Sequence, residues 1–140
     1  MADQTTNDDG GSSRATASPA GPSTDVPPLS QDALFDALAS RRSRYILHNL
    51  RSEDTPVTLD TIVDTVAAWE MDKSIDLVSD EHRRNVLMSL QHTQLPKLAM
   101  AGLVQYDEER SLIDKGIHAD QADAYLDIAV ARDDAVPTPE

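Results

Sequence analysis

The sequence predicts a mainly helical protein with one short β-hairpin and a closing amphipathic helix. Three observations lead there. Apolar residues recur at helical spacing in four successive segments between residues 30 and 101. Residues 103–107 and 111–113 alternate with period two around the charged turn Glu108-Glu109-Arg110, the pattern of a hairpin. Residues 120–132 return to helical spacing, with Ala122, Tyr125, Leu126 and Ala129 on one face.

Taken in order, residues 1–29 hold Gly, Ser, Thr, Pro, Ala and Asp with almost no large apolar side chain. Such a stretch cannot bury enough surface to offset chain entropy, so a disordered tail is expected. Ser30 caps a first helix whose apolar face is Ala33, Leu34, Ala37 and Leu38, with Phe35 beside it. Ser40-Arg41-Arg42-Ser43 marks a break. The second helix turns Ile46, Leu47 and Leu50 inward and leaves Tyr45 near the edge. After the turn at residues 52–56, Val57-Thr58 opens a third helix. Thr58 is its cap, Val57 and Ile62 have the spacing of a hydrophobic staple, and Asp60 sits where the helix dipole favours an anion. Leu59, Ile62, Val63, Val66 and Glu70 fall on one stripe, with Trp69 as a packing residue near its end.

Ser79 caps a fourth, longer helix running to Ala101, with Val86, Leu87, Leu90 and Leu98 on its buried side. Pro96 lacks a backbone donor and clashes with the carbonyl four residues back. A kink near residues 92–96, or a split into two helices, follows. Gly102 is the natural stop, because glycine tolerates the left-handed conformation. The units are therefore a tail (1–29), a helical domain with its hairpin (30–115), a C-terminal helix (116–133) and a frayed end (134–140).

Composition limits the function classes. The chain has no cysteine, which excludes disulfides, Cys-type zinc sites and thiol chemistry. His48, His82, His92 and His118 show no metal-ligand spacing with a carboxylate, so neither a metal nor another cofactor is expected. No nucleophile–base spacing or Gly-rich phosphate loop stands out, and an enzyme is not expected. The N-terminus lacks the basic flank and apolar run of a secretory signal, and no stretch nears the roughly 20 apolar residues that span a membrane. A cytoplasmic location is the expectation.

The formal net charge is −13, and its make-up is unusual: 19 of the 25 acidic residues are Asp, and only Lys73, Lys97 and Lys115 are Lys. Short, strongly hydrated carboxylates suit a surface kept soluble in concentrated salt. There the Debye length is about 3 Å at 1 M, and such a surface hardly repels itself. The composition resembles that of proteins from salt-in halophiles. In that setting net acidity is a solvent adaptation and does not argue against a nucleic-acid partner.

Helices followed by a two-stranded wing make the order of a winged helix-turn-helix. In that arrangement the helix before the hairpin presents its outer face to the DNA major groove, about 12 Å wide. The stretch "LFDALASRRSRYILHNL" resembles the opening of ArsR-type winged-helix regulators, and "LPKLAMAGLVQYDEERSLI" is similar to their recognition-helix exit and wing. The span from Leu34 to Ile113, with "AAWEMDK" and "HTQLPKLAMAGLVQYD", more closely resembles an uncharacterised haloarchaeal winged-helix family. The resemblance implies the fold more firmly than an activity. Metal sensing does not carry over, since the cysteine and histidine clusters of metal-sensing members are missing.

The site expected on this basis is double-stranded DNA bound by the helix from Ser79 to Ala101. Arg83, Arg84, Asn85, Gln91 and His92 supply donors for base edges, with Arg41, Arg42 and Lys97 as phosphate contacts. The plain alternative is a solvated helix face, with Asp80 and Glu81 pairing the arginines at helical spacing. Arg41, Arg42 and Arg44 form the densest basic cluster, which a surface network with Asp36, Glu53 or Asp54 would equally explain. Asp107, Glu108 and Glu109 around Arg110 make the wing a poor phosphate contact. The apolar face of Tyr125, Leu126, Ala129 and Val130 either folds back on its own domain or pairs with a second copy, as paired half-sites require. A core of 80–90 residues is marginal alone, which favours a homodimer through that helix. The sequence thus reads as a DNA-binding transcriptional regulator, or as a winged-helix module that binds a protein instead.

Overall fold

The structure, a computed structural model, describes residues 27–132. The expectations for residues 1–26 and 133–140 lie outside the described residues. Helix α1 (Gln31–Leu38) starts at Ser30, whose hydroxyl accepts from the Ala33 amide at 3.1 Å. Helix α2 (Arg41–Ser52) starts at Ser40, which accepts from Ser43. Arg44 donates to the Leu38 carbonyl at 2.6 Å, so α2 satisfies the open end of α1.

The core sits around α2. Tyr45, Ile46, Leu47, His48, Asn49 and Leu50 are all buried. Tyr45, expected near the edge, is 1% exposed. Its ring meets Trp69 edge-on with centroids 5.4 Å apart, a favoured geometry for aromatic quadrupoles. Phe35 moves the other way: it leaves the core and packs edge-on against Tyr125, with centroids 5.1 Å apart.

Val57–Thr58 forms a strand, β1, that the sequence did not reveal, because two residues carry no alternation signal. It pairs antiparallel with β3 (Leu112–Lys115), placing Val57 opposite Ile113. β2 (Val104–Asp107) pairs with the other edge of β3, with Tyr106 opposite Ile113. The sheet order is β1-β3-β2, so Ile113 lies on the central strand and is fully buried. Thr58 has two roles, since its hydroxyl also caps α3 (Leu59–Met71) by accepting from the Thr61 amide at 3.2 Å. Val57 and Ile62 are both buried across that cap, as a staple requires.

α3 stops at Asp72, which is left-handed at φ +52° and donates to the carbonyls of Ala68 and Trp69. A side chain in this conformation is strained, and a carboxylate at a helix C-terminus faces the unfavourable end of the dipole. Asp72→Gly is therefore expected to stabilise the protein by about 0.5–1 kcal/mol, the strain relief exceeding glycine's entropy cost. A higher denaturation midpoint with an unchanged slope is the result to look for.

The fourth helical segment is one long rod with a fault in it. α4 (Asp80–Ser89) is capped by the Ser79 hydroxyl, which accepts from the His82 amide at 3.1 Å. A π-helical turn follows over Leu90–Gln94, and then α5 (Leu95–Met100). The buried stripe explains the turn. Val86 and Leu90 are four apart, but the next buried leucines, Leu95 and Leu98, come five and eight residues after Leu90. One extra residue must be absorbed to keep all four on one side. The Leu95 amide does this by donating to the Leu90 carbonyl, five residues back. Pro96 then falls in the first turn of α5, where a missing donor costs little.

α6 (Ala119–Val130) folds back on its own domain. Ala122 and Leu126 are buried, and the helix packs on α2. Arg51 on α2 holds Asp127 at 2.7 Å and Asp123 at 3.5 Å. Gln121 accepts from the Leu29 amide at 2.8 Å and donates to its carbonyl at 3.1 Å, drawing the lead-in to α1 onto α6. Among the described residues, no helix is long and apolar enough to cross a membrane.

Candidate functional site

α4 is anchored through its inner face and left bare on its outer one. Val86 points into the core, and the opposite row is Glu81, Arg84, Asn85, Met88 and His92. With Ser89 these residues line a wide, shallow groove. The spacing of three, four and seven residues puts them on one stripe. Met88 is 56% exposed at its middle. The sequence did offer a sign of this, because Met88 lies two residues from both Val86 and Leu90 and so faces away from the buried stripe.

The eight residues expected to contact DNA do not gather in one place. Arg84, Asn85 and His92 share the open groove. Gln91 turns toward the wing, where its side chain bonds the Tyr106 hydroxyl. Burial, then the charge of Glu108, pushes the Tyr106 phenol above its ordinary pKa, while the Gln91 bond opposes the shift. Arg83 leaves the outer face altogether. Its guanidinium Nε donates to Asp64 at 2.5 Å, with Asp60 at 3.8 Å, both on α3. The Asp64 bond raises the Arg83 pKa further, against a smaller effect of burial.

The basic cluster on α2 is also dispersed. Arg42 forms a two-pronged pair with Glu70 on α3, through Nε to Oε2 and through Nη2 to Oε1 at 2.9 Å. His82 of α4 brings its Nε2 to 3.1 Å from the same Oε1, so Glu70 ties three helices together. Arg44 holds the end of α1. Arg41 is exposed at the start of α2. Lys97 pairs with Asp36 of α1 at 3.0 Å, in an exposed contact of the kind worth little. At the wing tip, Asp107 accepts from the Arg110 amide at 3.2 Å and stands 3.9 Å from its guanidinium.

The helix order α2-β1-α3-α4, the wing of β2 and β3, and the sheet order β1-β3-β2 define a winged-helix-like domain. Its outer helix face is polar and open. The chain belongs to the DUF7344 family, a domain of unknown function, whose model matches residues 35–114. The match begins within α1, runs into β3 and stops before α6. No curated protein and no solved structure matches the chain.

Proposed function

We propose that the protein binds duplex DNA as a dimer and regulates transcription, with the outer face of α4 laid in the major groove. The observation that carries this reading is the bare row Arg84, Asn85, Met88 and His92 on the helix that precedes the wing. Arg84 suits a guanine edge and Asn85 an adenine edge, while Met88 offers an apolar contact to a thymine methyl. Arg41 and Lys97 are exposed cations for phosphates, and the exposed Lys97–Asp36 pair exchanges at little cost. The likeness to ArsR-type and haloarchaeal winged-helix proteins supports the same reading, as does an Asp-rich composition suited to concentrated salt. Counterion release then gives little drive, because affinity falls with a log-salt slope of about −0.9 per phosphate neutralised. Base contacts and shape carry the affinity instead. Two-fold pairing would use the outer side of α6, where Ala124 and Ile128 are exposed.

Duplex binding at molar salt tests this with two neighbouring variants. Arg84→Ala is expected to weaken binding by about tenfold or more, the worth of a bidentate base contact, with the thermal midpoint unchanged. Arg83→Ala is expected to leave affinity near wild type and to lower the midpoint only slightly, because its pairs with Asp64 and Asp60 are partly open to solvent. Identical affinities for wild type and Arg84→Ala would remove the row from the interface.

A second reading, a winged-helix module that binds a protein, is favoured by one feature. Arg42, Arg83 and Lys97 each face a carboxylate, and the wing tip is acidic. A basic protein surface fits such a wing better than DNA does. Glu108→Gln with Glu109→Gln would weaken that partner and strengthen DNA, so the direction of the change separates the two readings.

A further inference from the structure

α6 buries Ala122 and Leu126 against the domain and turns its opposite side to solvent. The solvent side carries Asp120, Ala124 and Ile128, with Arg132 just past the end of the helix. All four are exposed, and each follows the last by four residues, so they form one ridge. Arg132 stays in line because its amide donates to the Ala129 carbonyl at 2.8 Å. Ile128 is 65% exposed, too much for a large aliphatic side chain that serves only its own domain. Among the described residues neither Asp120 nor Arg132 has a charged partner. At about 100° per residue, Tyr125 flanks the row on one side and Asp127 on the other. Tyr125 brings the half-exposed ring of Phe35 with it, which widens the apolar surface. Asp127 is already held by Arg51 at 2.7 Å and brings no free charge.

The row reads acid, small, large, base, and it complements itself only when reversed. Turned end for end about the level of Leu126, Ala124 meets the partner's Ile128, and Asp120 meets the partner's Arg132. With a rise of about 1.5 Å per residue, the inner two stand about 3 Å from the midpoint and the charged two about 9 Å. All four matches therefore hold at once. A parallel pairing would set aspartate on aspartate and isoleucine on isoleucine. Ridges of spacing four pack at a crossing of about 50°, the commonest class between helices. We infer that α6 pairs antiparallel with α6 of a second copy, in this register, as an isologous two-fold contact. The inference rests on the dimer in the reading above and adds how its two copies meet. A helix about 18 Å long makes a contact well under the roughly 800 Å² per partner of stable complexes, so a weak, concentration-dependent dimer is expected.

Sedimentation equilibrium of the full chain at molar potassium chloride, from micromolar to millimolar protein, measures the pairing without DNA. The mass is expected to double across that range. Ile128→Asp is expected to stay monomeric, with its thermal midpoint in dilute solution unchanged because Ile128 is exposed in the single chain. Cross-linking reads the register, and the chain has no cysteine of its own to interfere. Chains carrying Asp120→Cys and chains carrying Arg132→Cys are mixed and mildly oxidised. The mixed disulfide is expected to exceed either self-linked product severalfold, since only residues 120 and 132 come within disulfide reach. The mixed dimer also keeps the Asp120–Arg132 match at its other end. A chain that stays monomeric to millimolar concentration leaves this face to another protein, and overturns both the pairing and the dimer in the DNA reading. A dimer that survives Ile128→Asp, or in which self-linked products equal the mixed one, overturns the antiparallel register and leaves the dimer standing.

Discussion

Gly116→Ala is expected to cost this domain about 3 kcal/mol or more of its stability. Gly116 follows β3 and lies against the peptide that joins α5 to β2. Its amide donates to the Leu103 carbonyl at 3.0 Å, and two residues on the His118 amide donates to Gly102 at 2.8 Å. A β-carbon on Gly116 would stand 2.2 Å from the Gly102 carbonyl oxygen and 2.7 Å from two carbonyl carbons. All three are backbone atoms, so no side chain can swing aside. The facing segment is fixed as well. Gly102 is left-handed at φ +77°, its amide donates to Ala99 at 3.0 Å, and the Leu103 amide donates to Leu98 at 3.0 Å. Relief requires breaking the stop of α5 or lifting the exit of β3. Forced overpacking costs about 1–3 kcal/mol and sometimes more, and a backbone clash this close belongs at or above the top of that range. A small domain holds only about 5–15 kcal/mol in total. Denaturant unfolding of wild type, Gly116→Ala and the control Lys115→Ala measures the effect. The control is expected to stay near wild type, and a loss below about 1 kcal/mol in Gly116→Ala would refute the packing described for the wing base.

How far the sequence could be read follows from which physical signals are local. Caps are local, and Ser30, Thr58 and Ser79 each start a helix through a hydroxyl that accepts from an amide three residues on. Gly102 is a stop for the same kind of reason, a conformation that favours one residue type. The wing strands were legible because each alternates over several residues, whereas β1 owes its existence to Ile113 and Leu112, far along the chain. Side-chain partners across helices are the least local of all. Arg83 and Arg84 are equivalent in a sequence, yet a rotation of about 100° along α4 sends one to Asp64 and leaves the other in the groove. Asp80 and Glu81 were the expected partners of these arginines by helical spacing. For Arg83 the carboxylates that answer are on α3, because the packing of two helices puts them nearer. The same holds for Glu70, a plain stripe position in sequence that gathers Arg42 and His82 only once three helices meet.

The fault in the long helix yields the other large effect. Deleting Thr93, an exposed residue of the π turn, would leave Val86, Leu90, Leu95 and Leu98 spaced by four, four and three, the stripe of an unbroken α-helix. The core contacts could then survive without the extra residue. Pro96 would no longer fall just after a wide turn, and its ring would meet the carbonyl of Gln91, now four residues back. That clash and the lost bond cost about 3 kcal/mol in a helix interior. The deletion alone is therefore expected to be severely destabilising, and the deletion combined with Pro96→Ala is expected to recover most of the loss. Pro96→Ala alone is expected to change little, because the leucine spacing, not the proline, demands the π turn. Unfolding free energies of the three variants give the answer through one comparison. If Pro96→Ala does not rescue the deletion, the π turn is held by something other than the slip in the buried stripe. The turn also sets where His92 and Gln91 point, one into the α4 groove and the other onto Tyr106 of the wing. The rescued double variant would keep a folded core, with Val86, Leu90, Leu95 and Leu98 still on one side, while narrowing the turn that carries Gln91 and His92. DNA affinity in that variant then reports whether the placement of Gln91 and His92 by the π turn contributes to the outer face of α4.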